Sequence, residues 1–233
     1  MSVRLNKFLA NSGFTSRRKV SELLGKRAVE VNGRIIFEPG FRVDPQTDKI
    51  MVFGKEVQKP KLKYYLLNKP KGIISTVSDE HGRKTIMNFV PQDERVYPVE
   101  RLDATSTGLI LLTNDGELAN KLTHPRYEVE KTYEVLVTDR VTDKHLYNLR
   151  NGINLKEGKT APAKVKVLNY QGTKTWLEVT IHEGRNHQVK RMFAKLKLNV
   201  ASLKRISIGG ISLGSLPLGQ FRELSSSEIN LLV

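Results

Sequence analysis

The sequence predicts an α+β protein of two domains, a small helix-helix-hairpin unit followed by a larger domain built on a mainly antiparallel sheet. Three observations lead there. Near the N-terminus, apolar residues recur at helical spacing and then switch to strand-like alternation around an Asn-Gly turn. A charged stretch containing Pro60 interrupts the pattern near residue 60. Beyond it strand-like runs dominate, and helices come at irregular intervals rather than in the strict alternation of a doubly wound fold.

In the front unit, Leu5, Phe8 and Leu9 share one helical face. A second helix is expected from Thr15 to Leu24, with Val20, Leu23 and Leu24 facing inward. Thr15 or Ser16 can accept a backbone N–H as its N-cap, and Gly25 can take the left-handed conformation that ends a helix. Val29 and Val31 then alternate into Asn32-Gly33, a dipeptide that makes a type I′ turn without strain, and Ile35 and Phe37 continue the returning strand. Residues 1–58 are assigned to this domain, 59–63 to a linker within EVQKPKLK, and 64–233 to the second domain.

In the second domain the expected strands are Tyr64 to Leu67, Gly108 to Thr113, Tyr133 to Val137, Val165 to Leu168 and Leu177 to Ile181. Helices are expected at Gly116 to Leu122, Asp143 to Arg150 and Asn186 to Leu196. In the last of these, Val189, Met192, Phe193 and Leu196 fall at i, i+3, i+4 and i+7, which leaves Arg185, Lys190, Arg191 and Lys195 off the buried stripe.

Charge points to the partner. Lys and Arg outnumber Asp and Glu by 39 to 24, a formal +15, enough to draw in a polyanion at long range. The front unit has about twice the charge per residue of the remainder. Arg17, Arg18 and Lys19 are expected in the first turn of its second helix, where cations oppose the helix dipole unless an anion such as phosphate is bound. The absence of cysteine excludes disulfides and thiolate metal sites, and the five histidines lack ligand spacing, so no metal is expected. The charged first 25 residues exclude an ordinary signal peptide, and no run of 18 apolar residues could span a bilayer; a cytoplasmic protein is expected. No G-x-x-x-x-G-K-[ST] loop supports nucleotide hydrolysis. No heptad or interface stripe is visible, which leaves a monomer as the default.

The chemistry concentrates in VERLDATSTGLILLTNDGELANKL, residues 99 to 122. Arg101, Leu102 and Asp103 lie in a polar stretch just before a buried apolar strand, beside Thr105, Ser106 and Thr107. A carboxylate at the mouth of a core strand can be held rigidly, although an Asp before a strand is also an ordinary turn or cap residue.

This segment resembles the catalytic motif of the RsuA-type ribosomal RNA pseudouridine synthases, which carry Gly-Arg-Leu-Asp, a Thr/Ser-Gly and then LLLLTNDG. LLNKPKG at 66 to 72, EKTYEV at 130 to 135 and HEGRNHQVKRMF at 182 to 193 follow the family's order. RLNKFLANSGFTSRRKVSELLGKRAVEVNGR resembles the RNA-binding module named after ribosomal protein S-four.

The resemblance implies a synthase that isomerises uridine in ribosomal RNA, with no cofactor and with Asp103 as the catalytic carboxylate. It further implies that Tyr133 stacks beneath the uracil and that Lys190, or failing it Arg191, pairs with Asp103. Arg101 would fill the space of the flipped base, Leu203 would line the uracil pocket, and Arg185 would contact substrate. Arg17, Arg18, Lys19, Lys26, Arg27, Arg34, Lys69 and Lys71 would contact RNA. Both subunit branches fit, with large-subunit RNA favoured slightly; a non-catalytic ribosome-assembly factor of the same fold is the alternative. The chain departs from the family at Glu100, where the motif has Gly. Were φ positive there, Glu would be strained by about 1 kcal/mol or more, and its carboxylate could perturb Asp103 if the two converge.

Overall fold

The computed structural model describes residues 2–58 and 60–232. The chain divides into two compact units. One holds Met1–Lys63 with the short segments Gln92–Val96 and Asn114–Gly116; the other holds Tyr64–Pro91, Tyr97–Thr113 and Glu117–Val233. Residues 60–63, read above as part of a linker, therefore group with the first unit.

In the first unit, helix α1 (Leu5–Asn11) buries Leu5, Phe8 and Leu9, and helix α2 (Val20–Gly25) buries Val20 and Leu24. Strands β1 (Val29–Val31), β2 (Arg34–Ile35), β3 (Ile50–Val52) and β4 (Lys55–Glu56) form a four-stranded sheet in the order β2-β1-β3-β4. The hairpin turns at Asn32 and Gly33, both with positive φ (52° and 78°), as a type I′ turn requires.

Three local expectations are corrected. Helix α2 starts at Val20, because Ser16 C=O accepts the Lys19 N–H at 3.0 Å and closes a turn first. Arg17, Arg18 and Lys19 thus precede the helix instead of filling its first turn. Gly25 ends the helix as an ordinary helical residue, and Arg27 takes the left-handed backbone (φ 54°). On the returning strand Ile36 is buried, whereas Ile35 and Phe37 are exposed.

The second unit is organised by a sheet whose main path has seven strands: β5 (Tyr64–Lys69), β6 (Thr107–Thr113), β7 (Lys131–Val137), β8 (Lys164–Gln171), β9 (Lys174–Ile181), β10 (Val200–Ile208) and β11 (Phe221–Glu223). Their order is β8-β9-β7-β10-β6-β5-β11, and Tyr97–Pro98 and Ile211–Ser212 add short pairings off this path. Every pairing is antiparallel except β6 with β10, which run parallel through Thr107↔Lys204 and Gly108↔Arg205. Strands β10 and β11 were not expected from the sequence.

The strands differ in burial pattern. Strands β5 and β6 bury continuous runs, Tyr65 to Lys69 and Gly108 to Thr113. In β7 and β9 alternate residues are buried, and β7 places Lys131 in the same register as Tyr133, Val135 and Val137. Helices α4 (Asp143–Asn151) and α5 (Gln188–Lys195) contribute Leu146, Leu149, Val189, Met192 and Phe193 to the core over these strands. Helices α3 (Gly116–Thr123) and α6 (Ser226–Leu232) pack Leu118, Leu122 and Leu232 into a second cluster with Leu66, Leu109 and Leu111. Each such side chain, fully buried, contributes roughly 1.5–3 kcal/mol. Helix α5 begins two residues later than expected, since His187 adopts a left-handed backbone (φ 48°) at its N-cap. Among the described residues no helix is long and apolar enough to cross a membrane.

Candidate active site

Asp103 stands on the loop that enters β6, and that loop is pinned to the segment following β5. Ser75 Oγ donates to Leu102 C=O at 2.7 Å and accepts the Leu102 N–H at 3.1 Å. Gly72 N–H reaches Ala104 C=O at 2.7 Å. Lys69 Nζ donates to Ser106 C=O and to Pro70 C=O, each at 2.9 Å. The Ser106 N–H closes the turn on Asp103 C=O at 3.0 Å. The LNKPKG and RLDATS segments are therefore one piece of structure, and the carboxylate is presented from a fixed backbone.

Both carboxylate oxygens of Asp103 have cationic or ionisable neighbours. Lys190 Nζ, in the first turn of α5, lies 2.7 Å from Oδ2 and also donates to Thr105 Oγ1 at 2.7 Å. His187 Nε2 lies 3.3 Å from Oδ1. The side chain keeps 23% of its surface accessible, so it can still meet a ligand. The loop leading into α5 is itself tied down: Gln188 is buried, its Oε1 accepts the Arg185 N–H at 3.0 Å, and its Nε2 donates to Glu183 Oε1 at 3.0 Å.

Behind Asp103 lies a buried ionic cluster. Glu100 Oε1 is 2.8 Å from Lys131 Nζ and Oε2 is 2.8 Å from Arg205 Nη1, with the Lys131 and Arg205 side chains only 4% and 1% exposed. Arg205 Nε also donates to Leu109 C=O at 2.8 Å. Glu100 has no positive φ, so the strain considered above does not arise, and its carboxylate is committed to two cations. The one observation that had favoured a non-catalytic protein is thereby removed. Tyr133 is buried beside this cluster; burial pushes its phenol pKa up, Arg205 opposes the shift, and Glu100 and Asp103 add to it. The ring is a neutral, largely apolar surface.

These groups border a cleft of about 1120 Å³ that Leu203, Tyr133, Arg101 and Asp103 all line. It is somewhat larger than a usual small-molecule pocket, with room for a nucleotide and part of its neighbours. Arg101 is exposed at its edge.

Other expected residues are placed differently. Arg185 lines the cleft, but its guanidinium is spent on Glu183 and on Gly158 C=O and Lys159 C=O, all at 2.8 Å, and so clamps the hairpin of residues 154–159. Arg191 pairs with Glu157 and donates to Asn186 C=O at 3.1 Å, leaving Lys190 as the partner of Asp103. Lys69 is fully buried, so it cannot reach an RNA backbone; desolvation brings its pKa down to about 8, with Asp103 raising it and Lys190 lowering it further. Lys71 is exposed, as are Arg17, Arg18, Lys19, Lys26, Arg27 and Arg34 on the first unit, where the Arg27 guanidinium sits 5.9 Å above the Phe37 ring. Among the described residues no group of three or more His, Cys, Asp or Glu side chains could hold a metal ion.

The sequence reading missed His187, Thr105, Lys131 and Arg205. Lys131 had a visible signal, a lysine in the inward register of the Tyr133 strand. Arg205 had none, because its charge disguised β10 as a surface segment.

A mixed sheet carrying one loop-borne carboxylate, a paired lysine and a buried tyrosine at a nucleotide-sized cleft defines a class. The family of RNA pseudouridylate synthases matches residues 63–195, and the S4 domain matches residues 3–49; the chain belongs to this synthase family, with an S4 domain in front. It is 45% identical over 98% of its length to the ribosomal large subunit pseudouridine synthase B of Bacillus subtilis, covering 95% of that protein. It is 43% identical, again over 98% of its length, to an RNA pseudouridine synthase of Aquifex aeolicus, covering 93% of it. A crystal structure of a pseudouridylate synthase superposes over 99% of this chain and 100% of that one, with a TM-score of 0.72 and 34% identity.

Proposed function

We propose that this enzyme converts uridine to pseudouridine in large-subunit ribosomal RNA, with Asp103 as the catalytic carboxylate. The observation that carries the reading is the Asp103–Lys190 pair, 2.7 Å apart, on a pinned loop at the mouth of the cleft. The large-subunit assignment rests on the likeness to the Bacillus subtilis enzyme, whose name gives that substrate. Such a substrate would put the reaction in the cytoplasm.

Pseudouridine formation breaks the bond from ribose C1′ to uracil N1, turns the base and joins C1′ to C5, and the C5 proton is exchanged for one on N1. It is a redox-neutral isomerisation and asks for no cofactor. Asp103, oriented by its contact with Lys190, serves as the nucleophile or the anionic stabiliser as the first bond breaks. Tyr133 and Leu203 offer a flat apolar enclosure for the base. A stacked uridine cannot enter, so flipping costs a few kcal/mol, and Arg101, exposed at the cleft edge, would occupy the vacated space. The S4 domain's exposed cations hold the RNA backbone.

The test is tritium release from ribosomal RNA labelled at uridine C5, prepared from cells lacking the enzyme, with the wild type beside Asp103→Asn. Release by the wild type alone, from large-subunit RNA, is the expected result. No release from either subunit's RNA while binding persists would overturn the proposal.

A further inference from the structure

Two hairpins of the first unit turn in the same way with different residues. Asn32-Gly33 joins β1 to β2, and Phe53-Gly54 joins β3 to β4 with φ of 48° and 71°, the same left-handed pair. A type I′ turn selects Asn, Asp or Gly at its first central position, and a bulky aromatic residue is strained there. Phe53 does not serve the turn. It does not serve the core either, since it is 60% exposed.

Register sets a second such residue level with it. The β1–β2 pairing runs through Glu30↔Ile35 and the Ile36 N–H to Val29 C=O bond at 3.0 Å, and its continuation brings Phe37 opposite Ala28. On the other side of β1, Val29↔Val52 and the Phe53 N–H to Ala28 C=O bond at 2.8 Å bring Phe53 opposite Ala28. Phe37, Ala28 and Phe53 therefore form one row at the end of the sheet, two exposed aromatic residues (59% and 60%) flanking a methyl group. Arg27, also left-handed at φ 54°, holds its guanidinium over the Phe37 ring.

The charge around the row specifies its ligand. The exposed Lys26, Arg27 and Lys55 lie within two residues of it, against Glu30 and Glu38, in the more basic of the two units. Aromatic rings interleaved with cations suit unpaired nucleic-acid bases, whose faces stack while their phosphates meet the positive charge. An apolar protein segment would use the rings and leave the cations without a role.

We propose that Phe37, Ala28 and Phe53 form a stacking platform for unpaired bases of the RNA, separate from the phosphate contacts of the domain's cations. Of the functional reading above, the inference rests only on RNA binding and not on the isomerisation.

The experiment measures binding of a short single-stranded RNA and of its abasic counterpart, equal in phosphates, to the full-length wild type, Phe53→Asn, Phe37→Ala and the double variant Phe37→Tyr/Phe53→Tyr. The wild type should prefer the base-bearing RNA. Phe53→Asn makes the second hairpin an Asn-Gly turn like the first, so it is expected to melt above the wild type. It should nonetheless bind the base-bearing RNA about tenfold more weakly, the abasic RNA as before, and with the same salt slope. Phe37→Ala should show the same selective loss, and the double Tyr variant should keep wild-type affinity. Wild-type binding by Phe53→Asn, or equal losses on the two RNAs, overturns the platform. A free protein whose sedimentation changes with these substitutions while RNA binding does not assigns the row to self-association and overturns it too. The assay involves no turnover, so a wild type that binds as expected but makes no pseudouridine overturns only the synthase reading.

Discussion

A Cβ atom at Gly108 would stand 2.2 Å from the carbonyl oxygen of Arg205. Gly108 also has φ +100°, where an L side chain is strained wherever there is space. The close approach is what lets β6 run parallel beside β10, and so sets Asp103, five residues upstream of Gly108, near the buried cluster. Gly108→Ala is expected to cost more than about 3 kcal/mol, combining backbone strain with a backbone collision. Urea denaturation measures it, and a loss under about 1 kcal/mol would show that the two strands part easily.

Lys190 is expected to act on the chemical step. Lys190→Met removes both its contact to Asp103 and its contact to Thr105, and should lower kcat by about 10²-fold, in the range of other deletions of a preorganised electrostatic group. Thr105→Val removes only the second contact and should cost far less. Equal losses in the two variants would mean that Lys190 works by anchoring the loop.

Lys69 gives a pH dependence of stability with a definite sign. Its pKa falls from 10.5 in the unfolded chain to about 8 in the folded one. At pH 7 both states carry the proton, and the folded state bears the cost of a buried ammonium. Between pH 8 and 10.5 the unfolded state binds more protons, so folding stability contributed by this group rises with pH. From pH 7 to 10 the wild type should gain about 2 kcal/mol over Lys69→Met. Parallel stability curves for the two proteins would place the ammonium in contact with water.

The segments that the sequence revealed best are those where one physical demand acts alone. Helix α5 was legible because Val189, Met192 and Phe193 answer to burial and nothing else, and the β1–β2 hairpin because Asn32-Gly33 has few other uses. The site was legible mainly through resemblance, since Asp103 before a strand has the local appearance of a turn residue. What stayed hidden are positions where two demands compete. Arg205 is charged and 1% exposed, which is tolerable only because Glu100, 105 residues away, and Leu109 C=O meet it. Lys69 misled the reading for the same reason: its neighbours Pro70 and Gly72 suggest an exposed loop, whereas its Nζ caps two carbonyls in the interior.

Glu100→Gln tests that ionic cluster. Removing one partner of a buried pair usually costs about 3–5 kcal/mol. Here Glu100 borders the open cleft and is 16% exposed, so water can reach part of the cluster, and about 2 kcal/mol is the expected loss. A variant as stable as the wild type would mean that Lys131 and Arg205 gain nothing from the carboxylate.

The exposed cations of the first unit should register in the salt dependence of RNA binding. Arg18 and Lys26 are exposed on the first unit. If each neutralises one phosphate, the double variant Arg18→Ala/Lys26→Ala should flatten the plot of log affinity against log salt by about 1.5. Binding should weaken alike for cognate and unrelated RNA, since phosphate contacts carry no sequence information. Lys144→Ala, an exposed lysine on α4 in the second unit, serves as the control and should leave the slope unchanged. A double variant with the wild-type slope would remove the turn before α2 and the end of α2 from the RNA-binding surface, and would turn attention to Arg34 and Lys71.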